Sequence, residues 1–209
     1  MSENQAAAEN GKAKKILIRS MDLILKNLQE NMDYLDKEFE NTQNFIDMVY
    51  DGLQNKRRFF LLASGRSAFI LQCFATRLVH LGAEVYMVTN LGSMPALTKN
   101  DMLIVLSGSG TTPVVVSLLN SYINSVKPYG IVSITSHPET IIGRVGDITI
   151  KLKGRTKKDR TNDNEAVLSP EGTAFEQIAF TYLDAIVAEL AIKMGLTNID
   201  LLNKHPEGT

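Results

Sequence analysis

Hydrophobic positions recur along the chain with two different rhythms, and the change of rhythm divides it. From about Ala13 to Glu30, Ile16, Leu17, Met21, Leu23, Ile24 and Leu28 return at roughly helical spacing. Met32, Leu35, Phe39, Phe45, Ile46, Val49 and Leu53 form a second helical pattern, broken by Asn55-Lys56-Arg57-Arg58. Long amphipathic helices ahead of a strand-rich region serve as cover or as an oligomer interface.

Beyond Arg58 the pattern switches to short apolar runs alternating with helical stretches. Phe59–Ala63, Glu84–Val88, Met102–Leu106, Gly130–Ile134 and Asp147–Lys151 read as strands. Helices are predicted between them at about Ala68–Leu81, closed by Gly82, at Pro113–Ser125 with proline in the first turn, and briefly near Thr140–Arg144. Short apolar strands joined by helices specify a mostly parallel sheet covered on both faces. The expected fold is α/β: a three-layer doubly wound sandwich with a five-stranded parallel sheet, behind N-terminal helices. Such sheets bind ligands beyond the carboxyl ends of their strands, which makes the loops starting at Ser64, Thr89, Ser107 and Thr135 the candidates for function.

Residues 153–170 are a polar, charged connector expected on the surface. The helix predicted from Thr173 to Met194 has the cleanest periodicity. Its Phe175, Ile178, Ala179, Tyr182, Leu183, Ile186, Val187 and Leu190 fall on one face, which must lie on the sheet or on another subunit. A short tail helix, Asn198–Lys204, follows. Residues 1–12 read as a disordered lead by composition and terminal position, leaving 13–209 as a single domain with no internal repeat.

Composition narrows the partners. At 209 residues the chain fills one core rather than two, and a net charge of −1 removes any bulk electrostatic attraction to nucleic acid or an anionic membrane. The single Cys73 cannot close an internal disulfide, Met1–Asn10 lacks the form of a secretory signal, and no apolar stretch is long enough to cross a bilayer. Those observations point to a cytoplasmic protein. Three scattered histidines and one cysteine give no zinc site, so no metal is expected.

The loop Ser107-Gly108-Ser109-Gly110-Thr111-Thr112 follows a buried strand and opens a helix. Its glycines admit close approach of backbone to ligand, its four hydroxyls can donate to phosphate oxygens, and the helix start adds N–H groups and partial positive charge. It lacks both the lysine of a Walker loop and a third glycine, which favours a small phosphate ester over a nucleotide. Ser64-Gly65-Arg66-Ser67 holds the same place after the first strand: Arg66 can pair with phosphate or sugar hydroxyls, and Ser67 can cap the helix while touching ligand.

Strand, Ser-Gly-Ser-Gly-Thr-Thr, helix resembles the phosphate loop of the sugar isomerase (SIS) domain superfamily. Within it the chain is most similar to the 6-phospho-3-hexuloisomerases, through Ala63–Ser67, Arg77–Gly82, Ser107–Thr112, Gly154-Arg155-Thr156-Lys157, Gly172–Glu176, Leu183–Leu190 and Lys204-His205. The resemblance implies a phosphosugar-binding domain that converts 3-hexulose 6-phosphate to fructose 6-phosphate through a cis-enediol, without metal or organic cofactor. It also implies a homo-oligomer, commonly a tetramer, and a place in formaldehyde fixation or pentose phosphate synthesis.

By the family pattern the base is Glu176. A competing local reading makes Thr173-Ala174-Phe175-Glu176 a capping box, with Ser169-Pro170 as another helix start. Related isomerases place their glutamate just before this helix, so Glu171 is the alternative base. His205 resembles a terminal histidine used for ring opening or proton shuttling. His80, late in an apolar helix, reads as a packed structural residue, and His137 as a strand-end residue within reach of a ligand. Two rival functions stay open: another SIS isomerase acting on a pentose phosphate such as arabinose 5-phosphate, and a non-catalytic phosphosugar sensor. Sensors of that kind carry a DNA-binding or partner domain, for which the chain shows neither a helix-turn-helix segment nor spare length.

Overall fold

A computed structural model of the chain describes residues 3–88, 94–156, 158–159 and 164–204, with side chains from residue 15 onward except those of 164 and 165. Helix α1 spans Glu3–Lys37 and α2 spans Phe39–Gln54, with a break of helical geometry at Glu38. The backbone is helical from Glu3, where Ala6, Ala7 and Ala8 are strong helix formers.

The core alternates as expected: β1 Arg58–Leu62, α3 Arg66–His80, β2 Glu84–Met87, β3 Met102–Leu106, α4 Pro113–Ser125, β4 Gly130–Thr135, α5 Ile141–Val145 and β5 Ile148–Lys151. A 3-10 turn at Asn164–Leu168 leads to α6, Thr173–Lys193, and α7, Asn198–Leu202. All strand pairs are parallel and the order is β2-β1-β3-β4-β5. The winding reverses between β1 and β3, so the carboxyl ends of those two strands flank the switch point where open α/β sheets bind ligands.

Alternation along the strands fixes the layers. Phe59, Leu61, Met102, Ile104, Leu106, Val132 and Ile134 share one hydrophobic cluster with α2, α3 and α6. Phe60, Leu62, Leu103, Val105 and Ile131 pack on the other face against Val115 and Leu119 of α4 and Ile142 of α5. Helix α6 buries the expected stripe from Phe175 to Leu190. At the opposite end of the sheet Arg58 and Asp101 form a bidentate pair, Nε to Oδ1 at 2.8 Å and Nη2 to Oδ2 at 2.6 Å, which locks β1 to the start of β3.

Helix α1 is fastened by polar contacts. Buried Asn31 donates to the Lys153 carbonyl at 2.6 Å and accepts from the Lys153 amide at 2.7 Å, the two bonds of a strand-like pair. On its outer side Ile16, Leu17, Met21 and Leu25 stay exposed. No helix among the described residues is long and apolar enough to cross a membrane.

Candidate active site

A cleft of about 750 Å³ opens over the ends of β1 and β3. One wall is Ser64–Ser67, the floor is Ser107–Ser109 with Thr111 and Thr112, and the opposite wall is Thr156, Lys158 and the Pro170–Glu176 entry to α6. The structure thus brings together every predicted binding residue of the two loops except Gly110, which lies directly behind the floor. The loop starting at Thr89 lies outside the described residues, as does His205.

The floor is a braced loop. Ser107 and Thr112 hydroxyls meet at 3.1 Å across it, closing the turn that leads into α4. The Gly108 carbonyl accepts from the Ser136 amide at 3.1 Å and from Thr135 Oγ1 at 3.2 Å, so the loop after β4 supports it from behind. Gly110 takes φ of +62°, and a Cβ there would fall 1.9 Å from Thr140 Oγ1; only glycine fits. Thr112 precedes α4 in extended conformation and no side chain caps that helix. Pro113 has no N–H and the Val116 amide bonds the Thr112 carbonyl, which leaves the Val114 and Val115 amides without a side-chain cap at the helix end that adjoins the cleft, an arrangement that can receive an anion.

Gly65 precedes α3 with no side-chain cap, so Ser67 lies within the first turn rather than capping it, as the sequence had led us to expect. Gly65, at φ of +59°, takes the cap position, and the helix starts at Arg66, two residues ahead of the expected Ala68. Arg66 projects across the cleft, its Nε 2.9 Å from Glu176 Oε2.

The entry to α6 overturns the capping-box reading. Gly172 occupies the cap position with no side-chain bond, and Thr173 is already helical. The Thr173 hydroxyl donates instead to the Pro170 carbonyl at 2.7 Å, within a turn closed by the Thr173 amide on the same oxygen at 3.1 Å. Glu176 is released from capping duty. Its side chain is only 12% exposed, and Oε2 is buried with no hydrogen bond, the Arg66 contact being too oblique to count as one. A buried carboxylate oxygen aimed at a cleft and left to a charge contact is available for chemistry.

Glu171 also lines the cleft, exposed, on a backbone held at φ of +55°. Arg155 sets that turn: its Nη2 donates to the Ala166 carbonyl at 2.6 Å and to the Ser169 carbonyl. Phe175 packs beneath, close enough to Gly108 that a Cβ there would lie 2.8 Å from Cδ1.

The connector expected to lie on the surface supplies a wall of the site, which sequence reasoning missed. His80 is buried in α3 away from the cleft, beside a smaller cavity with Arg77 and Asp184. His137 does not line the cleft; its ring reaches Thr156 and Asp159 instead. Burial pushes the Asp159 carboxyl up, but the Thr156 amide and hydroxyl and His137 outweigh it and hold it below the ordinary value. Among the described residues no group of three metal-ligating side chains converges.

Comparison with known proteins fits this geometry. The sequence model of the SIS domain matches residues 52–166. A 3-hexulose-6-phosphate isomerase of Bacillus subtilis is 32% identical over 152 residues, 72% of this chain and 80% of that protein. An uncharacterized protein of Archaeoglobus fulgidus is 35% identical over 155 residues, 73% of this chain and 81% of its own. The crystal structure of a hypothetical protein of Methanococcus jannaschii, for which a 3-hexulose-6-phosphate isomerase function was inferred, superposes with a TM-score of 0.69 at 28% identity, over 88% of this chain and 98% of that one.

Proposed function

The chain belongs to the SIS domain family, and from that premise we propose that it is a phosphosugar isomerase interconverting 3-hexulose 6-phosphate and fructose 6-phosphate. The observation that carries the reading is the pairing, in one cleft, of an uncapped anion cradle with a carboxylate freed from its local structural role. The two relatives whose names or inferred function specify 3-hexulose 6-phosphate support this choice of substrate.

In this reading the substrate phosphate sits on the hydroxyls of Ser107, Ser109, Thr111 and Thr112 and the first turn of α4, with Ser64 and Ser67 alongside. The open-chain sugar then extends towards α6. Glu176 takes the proton from C2, the electron pair forms the C2–C3 double bond, and the C3 oxygen gains a proton to complete the enediol. Returning the proton from Glu176 to C3, while the C2 hydroxyl loses its own, gives the C2 ketone. C2 and C3 are adjacent and the enediol is cis, so one base on one face reaches both. Arg66, beside Glu176, offers positive charge to the oxygen on which negative charge develops. The exposed stripe on α1 supports assembly as a homo-oligomer, a tetramer in our reading, in the cytoplasm.

The experiment is direct. Purified protein is incubated separately with 3-hexulose 6-phosphate and arabinose 5-phosphate, and the product ketose is assayed. Fructose 6-phosphate from the first is expected. Turnover of the pentose phosphate alone would reassign the substrate, and turnover of neither would favour a sensor.

A further inference from the structure

The cleft has a charge problem that its floor does not solve. Among the described residues its ionic lining is Arg66, Lys158, Glu171 and Glu176, two cations and two anions, while a sugar phosphate brings close to two negative charges. Arg66 is committed to Glu176. Lys158 is the remaining described cation, and its present partner holds it weakly. Its Nζ lies 3.3 Å from Glu139 Oε1 with side chains 44% and 58% exposed, a pair that solvent screens heavily.

What fixes Lys158 at the cleft is the turn that carries it. Asp159 Oδ2 accepts from the Thr156 amide and hydroxyl, both at 2.9 Å, and the Asp159 amide donates to the Thr156 carbonyl at 3.0 Å. His137 Nε2 stands 3.2 Å from the same Oδ2 and 3.2 Å from Thr156 Oγ1. A carboxylate only accepts, so the ring nitrogen donates to it. The His137 backbone is fixed in turn: its amide donates to Thr135 Oγ1 at 3.1 Å and its carbonyl accepts from Thr140 Oγ1 at 2.7 Å. Thr135 and Thr140 are the residues that brace Gly108 and Gly110 behind the floor. The phosphate loop and the Lys158 turn are thus bolted to one another through one imidazole.

We propose that Lys158 is a phosphate-binding residue of this cleft, exchanging Glu139 for the ligand phosphate, and that His137 is a positioning residue that holds it there through Asp159. The inference rests on the reading of the cleft as a phosphosugar site. It separates the roles of two polar segments that would otherwise pass as surface: the turn supplies charge, and the histidine supplies placement.

Calorimetric titration of the full-length protein with fructose 6-phosphate and with inorganic phosphate tests it. Lys158→Met should weaken both on the order of tenfold, the value of one charge-assisted hydrogen bond, and Lys158→Arg should recover most of the loss. His137→Ala should weaken both at least about threefold, His137→Gln, whose amide can still donate to Asp159, should restore binding, and His137→Ala should add nothing in the Lys158→Met background. Thermal unfolding of each variant separates a lost fold from a lost contact. Wild-type affinity in Lys158→Met, or losses that simply add in the double variant, overturns the proposal while leaving the phosphosugar reading intact. A wild-type protein that binds neither probe overturns both.

Discussion

Arg66 Nε and Glu176 Oε2 stand 2.9 Å apart across the cleft, joining the first helical turn after β1 to the first turn of α6. The guanidinium is 64% exposed and the carboxylate 12%, so the contact contributes little to folding and much to where the carboxylate points. Arg66→Met should therefore leave stability within about 0.5 kcal/mol of wild type, as for other surface changes. In steady-state assays it should lower kcat/KM on the order of tenfold to a hundredfold, through the loss of the charge contact that orients Glu176 and of positive charge beside the developing oxyanion. Unchanged kinetics would detach Arg66 from the site.

Gly110 tests the floor. Replacing it with alanine forces a side chain into left-handed backbone and against buried Thr140 Oγ1, which already donates to the His137 carbonyl. Gly110→Ala should cost about 1–3 kcal/mol in urea denaturation and weaken phosphate-ester binding, because the loop must shift to admit the methyl. Neutral stability would mean that Thr140 yields freely and the loop is not braced as described.

Glu171 decides between the two carboxylates by a different route. A non-glycine residue at φ of +55° carries strain, which glycine removes together with the carboxylate. Glu171→Gly should hold or raise stability by up to about 1 kcal/mol while turnover stays within a few-fold of wild type. Collapse of turnover with binding intact would move the base to Glu171.

Stability should depend on pH through the far end of the sheet. Burial pushes the Asp101 carboxyl up, but the Arg58 guanidinium and the Thr98 hydroxyl and amide outweigh it and hold it below the ordinary value. A carboxyl depressed by folding adds stability that is complete above its unfolded pKa of about 3.9 and is lost as pH falls through the lower folded value. Urea denaturation from about pH 6 down to about pH 2 should show that acid-side loss in the wild type. Asp101→Asn should be less stable by about 1–3 kcal/mol near neutrality and lose less on acidification. Comparing the two slopes separates Asp101 from Asp47, Asp159 and Asp200, which are also held low. Parallel slopes would contradict the assignment.

The middle of the sheet was legible because its central strands are buried on both faces: Met102–Leu106 reads as an unbroken apolar run and is a strand at those bounds. The phosphate loop was legible because its chemistry is contiguous, glycines and hydroxyls between a strand and a helix start. What sequence could not give was long-range. Thr173 and Glu176 have the spacing of a capping box, but the Pro170 carbonyl captured the threonine hydroxyl, and a local pattern does not report which partner wins. Thr156 and Lys158 read as solvated connector, since nothing near them signals that His137, nineteen positions before Thr156, ties their turn to the back of the floor. The helix boundary at Glu38 was missed by several residues for want of a glycine or proline to mark it.

The role of Glu176 is tested most directly by proton exchange. Fructose 6-phosphate is incubated with the protein in deuterium oxide and followed by proton NMR. The wild type should replace the C3 hydrogen with deuterium, and Glu176→Gln, binding the sugar phosphate with similar affinity, should do so at least about a hundredfold more slowly. Exchange in Glu176→Gln at the wild-type rate would contradict the assignment of the base.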